Sequence, residues 1–330
     1  MKKRRFWISA LVSAVLLYLA LRRIRPADVL QALQGIRYEY LLLAGLVRIG
    51  LACVRALRWQ VLLTPATGRV RLSPLLQAWL IGFFGNYTLP SQSGELLKLY
   101  VLGRNEALSR SAILGTILLE KLLDVLTLLL FLVTLLFLFP LPVWMSRLGW
   151  MAGLLWLVGL FVLLALANHR AQAVHRLDLL LQRLLPRFAD WGVARFDGFV
   201  GGLSALRLGH GVVPAALLSL LVWTGQVLPF TLVGMAMGLK MPFQTYLLLL
   251  TIFNLASLVP ALPGRLGTLE FVFASILPLF QADQSVAFSY ALLFRLTHLL
   301  PLALGWFFFS SSQGVQQIGE SVNRRTRISQ

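Results

Sequence analysis

Cysteine is nearly absent from this 330-residue chain: Cys53 stands alone inside a hydrophobic run, which excludes an internal disulfide. Acidic residues are scarce, with 12 Asp and Glu against 30 Lys and Arg and a net charge of +18. Histidines number 4, and His169 and His175 flank a basic stretch without acidic or cysteine ligands, so no metal site is expected. No Gly-x-x-x-x-Gly-Lys-[Ser/Thr] loop occurs, which argues against ATP hydrolysis, and no Gly-x-Ser-x-Gly or Cys/His pair occurs either. No polar stretch is long enough for a soluble catalytic domain. The expectation is therefore a chain without a cofactor and without enzymatic machinery.

What remains is apolar: 58% hydrophobic residues, 13% charged, and a mean hydropathy of +0.79. A soluble fold of this length cannot bury that much apolar surface, so the solvent must be a bilayer. The basic excess then reads as loops held against anionic lipid, not as a nucleic-acid surface. A span of about 20 apolar residues picks out Phe6–Leu21, Tyr38–Trp59, Ser111–Phe139, Leu148–Ala167, Val212–Gly238 and Val286–Phe309. Phe6–Leu21 follows Lys2-Lys3-Arg4-Arg5 without a cleavage site after it, and is read as a retained signal anchor. Between Asn168 and His210, Leu177, Leu180, Leu181, Leu184 and Leu185 recur at helical spacing, as in an amphipathic helix at the interface.

Two apolar elements are interrupted. Pro74–Leu89 stops at Leu89-Pro90-Ser91-Gln92-Ser93-Gly94 before an amphipathic Glu95–Arg104. Phe243–Pro260 stops at Pro260-Ala261-Leu262-Pro263-Gly264 before Thr268–Phe280. Broken backbone at membrane depth must be covered by protein or a wet cavity. Residues 74–104 and 243–280 thus read as re-entrant helical hairpins with tips at Pro90, Gly94, Pro263, Gly264 and Gly267; the alternative is a pair of proline-kinked spans. The predicted architecture is an all-α polytopic membrane protein with about six full crossings and two re-entrant hairpins.

Basic residues orient it with both termini cytoplasmic: Lys2–Arg5, Arg69/Arg71, Arg104/Arg110, the 168–211 segment and Arg324–Arg327 fall on one side. Pro140–Ser146 and Gln281–Ser285 carry no Lys or Arg, and Lys240 is alone in its outer turn. Arg22, Arg23 and Arg25 conflict with this: either they snorkel to the interface or the first segment does not cross. Residues 1–139 and 140–310 then share one plan with opposite orientation, an inverted-topology repeat of the kind built around midplane sites, followed by a basic tail, 311–330. Leu-Pro, then Gly, then Glu opening a helix recurs at both breaks, with Glu95 and Glu270 in matching positions.

Charges also occur inside spans. Glu120 is nine residues beyond Ser111, about 13 Å at 1.5 Å per residue. A charge there costs roughly 2.5–3.5 kcal/mol, so Glu120, Lys121 and Asp124 must face protein or water. Glu120 and Asp124 share a helix face, whereas Lys121 is rotated by about 100° and points elsewhere. Arg295 and His298 repeat the pattern in the last span. Arg48 is deep in the second span, with Arg55 and Arg58 expected at its cytoplasmic end. The structural expectation is ion pairing of Glu120 or Asp124 with Arg295, and of Glu95 or Glu270 with Arg48 or Arg265. The functional one is a headgroup cavity lined by Glu95, Lys98, Glu120, Lys121, Asp124, Arg265, Glu270, Arg295 and His298.

Three motifs carry a family resemblance: Leu89-Pro90-x-x-x-Gly94-Glu95 with Lys98 and Arg104; Glu120-Lys121-Leu122-Leu123-Asp124; and Pro260-x-x-Pro263-Gly264-x-x-Gly267-x-x-Glu270. Over nearly its whole length the chain resembles the lysylphosphatidylglycerol synthase transmembrane-region family. That family includes the flippase half of the bacterial multiple peptide resistance factor. It usually has Arg where Lys98 and Lys121 stand, and a glycine pair where this chain has Gly264-Arg265. The resemblance implies a protein of the bacterial cytoplasmic membrane that moves a phospholipid or polyprenyl-linked lipid between leaflets, with anionic phospholipid or polyprenyl phosphate as partner. Two other readings stand beside it: a membrane transferase using a lipid-phosphate donor through Asp28 or Glu39, and a non-catalytic companion of a lipid-modifying enzyme.

Overall fold

The computed structural model describes residues 2–22, 24–89, 93–106, 108–138, 143–184, 186, 189–202, 211–257 and 262–311. Pro90 and the tail beyond residue 311 lie outside the described residues. These residues form helices without any strand among them: α1 (Lys2–Leu21), α2 (Pro26–Ala32), α3 (Tyr38–Thr67), α4 (Leu72–Thr88), α5 (Gly94–Asn105), α6 (Arg110–Leu138), α7 (Val143–Asn168), α8 (Arg170–Leu184), α9 (Ala189–Gly202), α10 (Val212–Gly225), α11 (Val227–Ala236), α12 (Phe243–Ala256), α13 (Thr268–Ile276), α14 (Gln284–Leu296) and α15 (Leu299–Ser311). The chain is an all-α polytopic membrane protein.

Three described stretches are both long and apolar enough to cross a bilayer: Tyr38–Thr67, Val213–Ala236 and Gln284–Ser311. At 1.5 Å per residue each exceeds the roughly 30 Å hydrocarbon core. With 29 residues, α6 has comparable length but carries Glu120, Lys121 and Asp124. Two of the long stretches bend where proline requires it. Pro229 and Pro301 have no N–H to give to the carbonyls of Gly225 and Thr297, four residues back, and the helices yield at Gln226 and at Thr297–His298.

The expected helix–break–helix elements are present. In the first, α4 and α5 lie so close that a Cβ on Gly94 would sit 1.9 Å from the Gly82 carbonyl oxygen. No residue but glycine fits, and the Gly94 N–H donates to Asn86 Oδ1 at 2.9 Å. In the second, Gly267 has φ +85°, and a Cβ there would meet the Ser13 carbonyl at 2.4 Å. The first helix therefore packs on the second break: α1 lies against α13, and Ser13 Oγ accepts the Leu262 N–H at 2.9 Å. It is an integrated part of the bundle, more than an anchor.

The leucine-bearing stretch of the 168–211 segment is helical, and a second helix follows it. These two helices, α8 and α9, are joined by a two-pronged Arg170–Asp197 pair with both contacts at 2.7 Å. While α8 buries nothing, with Leu179, Leu180 and Leu184 exposed, α9 packs on α6 and buries Val200. Leucine periodicity reports an apolar face without saying where the helix stops; Pro186 lies between the two.

An aromatic core joins the C-terminal helices. Phe230 on α11, Phe253 on α12, Phe273 on α13 and Phe294 on α14 have ring centroids 4.3–6.4 Å apart. Offset and edge contacts of this kind add about 0.5–1.5 kcal/mol per pair beyond burial. They fix one wall of the interior against which the charged groups are set.

Candidate functional site

Positions 48, 55 and 58 fall on one face of α3, since seven residues are nearly two turns and three more are close to another. That face looks across to Glu120 and Asp124, one turn apart on α6. Arg58 is fully buried and donates to Glu120 Oε1 at 2.8 Å, Asp124 Oδ1 at 2.6 Å and Ser219 Oγ at 3.0 Å. Lys98 from α5 pairs with the other oxygen of Glu120, and Trp223 from α10 donates to Asp124 Oδ1 at 2.8 Å. The Lys98 ammonium also lies 4.0 Å from the centroid of the Trp59 ring. The expected Arg295 partner is thus replaced by Arg58, which is buried between helices. The apolar run ends at Trp59, but α3 continues to Thr67, about 12 Å further.

Lys121 does leave the Glu120/Asp124 face, as its rotation predicts, but it does not leave the site. Its ammonium pairs with Glu95 Oε1 at 2.7 Å, linking α6 to the first turn of α5. The partner expected for Glu95, Arg48 or Arg265, is corrected accordingly.

Around the second break, Glu270 is 2% exposed and pairs with Arg295 through Nε at 2.8 Å and Nη2 at 2.7 Å. Arg295 also donates to the carbonyl of Gly264 at 2.7 Å, and Glu270 Oε2 accepts the Gly267 N–H at 2.8 Å. The pair therefore satisfies the backbone that the Pro263–Gly267 break exposes, as buried backbone groups require. Arg48 donates instead to Thr297 Oγ1 at 2.8 Å, at the bend set by Pro301, and lies 4.7 Å from the Phe294 ring. His298 stacks on Phe83, with the rings 3° from parallel, and its Nδ1 is 3.0 Å from the Phe294 carbonyl.

These elements enclose a cavity of about 190 Å³. Seven of the nine expected residues line it: Glu95, Lys98, Glu120, Lys121, Asp124, Arg265 and His298. Glu270 and Arg295 are not in its lining; they brace the break behind it. Sequence reasoning missed the contributions of Arg55, Trp79, Asn86, Trp223, Gln226 and Asn254. Two of these carried a signal: Arg55 shares the Arg48 face, and Gln226 sits where Pro229 breaks the helix. The walls hold five cationic side chains (Arg48, Arg55, Lys98, Lys121, Arg265) and three carboxylates. Asp28 and Glu39, the candidates for a transferase, are exposed and outside the lining; Glu39 pairs with Arg37 at 3.2 Å. No cluster of His, Cys, Asp and Glu suited to a metal occurs among the described residues.

Residues 6–305 match the family described as Lysylphosphatidylglycerol synthase TM region. The chain belongs to that family. Within it, the three motifs that carry the resemblance have structural work: Gly94 permits the α4–α5 approach, Glu120 and Asp124 hold Arg58, and Glu270 braces the second break. A UPF0104 membrane protein of Methanothermobacter thermautotrophicus is 26% identical over 324 residues, covering 94% of each chain. No solved structure matches the chain.

Proposed function

We propose that this member of the lysylphosphatidylglycerol synthase transmembrane-region family carries the headgroup of a membrane lipid between leaflets, with the cavity as the transit site. The observation that carries this reading is the cavity itself: a charged space of about 190 Å³ between three stretches of membrane-crossing length and the shorter helices α4, α5 and α12. Unassisted flip-flop must take a polar headgroup through a core about 30 Å thick. A polar interior space removes that barrier while acyl tails stay in lipid.

The reading takes α4–α5 and α12–α13 as re-entrant hairpins of an inverted repeat, residues 1–139 and 140–310, entering from opposite faces, with both termini cytoplasmic. Support comes from the meeting of the two breaks. The Tyr87 ring at the end of α4 stands 3.5 Å from the position a Cβ on Gly264 would take. Separating that contact while the opposite end closes would expose the cavity to each leaflet in turn.

The test is translocation of a fluorescent-headgroup lipid in vesicles reconstituted with the full chain. Gln226→Phe and Asn254→Leu fill the cavity without breaking an ion pair, and each is expected to slow translocation by about tenfold or more, as occlusion of a required site does. Rates equal to wild type in both correctly folded variants would rule the cavity out as the path.

A further inference from the structure

The cavity's charges are not equivalent. Every carboxylate in it is already ion-paired: Glu120 with Arg58 and Lys98, Asp124 with Arg58, and Glu95 with Lys121. Two guanidiniums are not, and a third is paired only at long range. Neither Arg48 nor Arg265 has a carboxylate within ion-pair distance among the described residues, and Arg55 comes only within 3.9 Å of Asp124 Oδ2. Arg48 is 7% exposed and its Nη2 has no partner, nor does the buried Nε of Arg55. A buried, unpaired guanidinium is costly to hold in a protein interior, so its position at a cavity wall points to a ligand.

The three are also neighbours. Arg48 lies over the Phe294 ring and Arg265 over the Phe253 ring at 5.1 Å, and those two rings are 6.0 Å apart. One α3 turn pair along from Arg48, Arg55 stands 5.3 Å from Trp223 and 5.8 Å from Trp79. Aromatic faces hold each guanidinium without consuming its in-plane N–H donors, which stay free for a planar or tetrahedral oxyanion.

The geometry points to a phosphate subsite formed by Arg48, Arg55 and Arg265, and hence to an anionic headgroup that carries no amine. Resting on the reading of the cavity as a headgroup site, it narrows the substrate class. An aminoacylated or zwitterionic headgroup would bring an ammonium into a space with five cationic side chains against three carboxylates, all three already ion-paired and only Glu95 Oε2 left open. A phosphate with hydroxyl or hydrogen substituents meets two guanidiniums without a carboxylate, Arg48 and Arg265, and the loosely paired Arg55.

Calorimetric titration of the purified full chain tests this, using dihexanoylphosphatidic acid, dihexanoylphosphatidylglycerol, dihexanoylphosphatidylcholine, lysyl-phosphatidylglycerol of the same chain length, and inorganic phosphate. The anionic lipids are expected to bind about tenfold or more tighter than the choline and lysyl lipids, as charge-assisted bonds to phosphate allow. Arg48→Gln and Arg265→Gly are each expected to erase most of that preference. Arg265→Gly keeps the test sound because Arg265 has φ +56°, a conformation glycine adopts without strain. Inorganic phosphate binding as tightly as the lipids, and lost in both variants, supports the subsite and makes free phosphate the source; weaker binding supports a lipid phosphate. Equal affinity for all headgroups, or a preference unchanged in both folded variants, overturns the proposal. Vesicle translocation is measured separately: selective binding without translocation sinks only the transport reading, and translocation by a wild type without preference sinks only the subsite.

Discussion

Arg58 and Asp124, 66 positions apart in the chain, meet through Nη1 and Oδ1 at 2.6 Å in the buried space between α3 and α6. The same guanidinium reaches Glu120 at 2.8 Å, so one cation holds two carboxylates that stand one helical turn apart. Lys98 completes the group from the first helical hairpin. The α3, α5, α6 and α10 junction therefore holds a buried charge group beside its apolar packing.

Removing that cation leaves buried Glu120 with Lys98 alone and Asp124 with the Trp223 N–H and the more distant Arg55. Arg58→Met is expected to destabilise the folded protein by about 3–5 kcal/mol, the usual cost of breaking a buried pair on one side. Arg58→Lys, which keeps the charge but loses the second prong, is expected to fall between. Thermal unfolding in detergent, followed by the monodisperse fraction on size exclusion, measures both. A melting curve for Arg58→Met that overlays wild type would show that the junction does not depend on this pair.

Arg265 sets backbone strain against the proposed anion binding. Its φ of +56° costs a non-glycine residue about 1–2 kcal/mol. Arg265→Gly is expected to raise the melting temperature while weakening anion binding. A lower melting temperature would mean that the Arg265 contact with Phe253 outweighs the backbone strain.

The close approach of α4 and α5 predicts an intolerant position. With the Gly82 carbonyl only 1.9 Å from where a Cβ at residue 94 would stand, Gly94→Ala must push the two helices apart. Overpacking of this kind costs about 1–3 kcal/mol or more, and it would displace Lys98 and Glu95 together. Loss of folded yield, or of translocation in whatever folds, is the expected result; wild-type behaviour in both would contradict the geometry.

Outside the membrane-crossing helices, the Arg170 guanidinium holds the Asp197 carboxyl below its usual value, chiefly through the hydrogen bonds between them. A depressed folded pKa contributes stability above the unfolded value, about 3.9, and loses it as pH falls through the folded value. Both side chains are more than a third exposed, so the pair is worth at most about 0.5–1 kcal/mol after solvent screening. Wild type should exceed Asp197→Asn slightly in melting temperature at pH 7, and the gap should close below about pH 4. A gap that is as wide at pH 3 as at pH 7 would assign it to another cause.

The helices and their interruptions are readable from apolar runs and from Pro and Gly, because both act through local sterics. Gln226 and Thr297–His298 show the limit. Prolines 229 and 301 mark the bends, but nothing local says that both bends open onto the same cavity. Pairing is less legible still. Polarity ends the apolar run at Trp59 and so puts Arg58 at an interface, whereas the helix continues through Thr64 and Pro65. Depth alone matches Arg295 to Glu120, yet its neighbour is Glu270 on the adjoining helix.

By itself the sequence determined that this chain is helical, bilayer-embedded, broken at two Pro/Gly segments and charged at depth, since hydropathy and backbone sterics depend on each residue and its near neighbours. Only the tertiary structure decided which charges neutralise one another. Ion pairing is set by which faces rotate together across helices far apart in the chain. That packing gives Arg58 two carboxylates and leaves Arg48 and Arg265 with none.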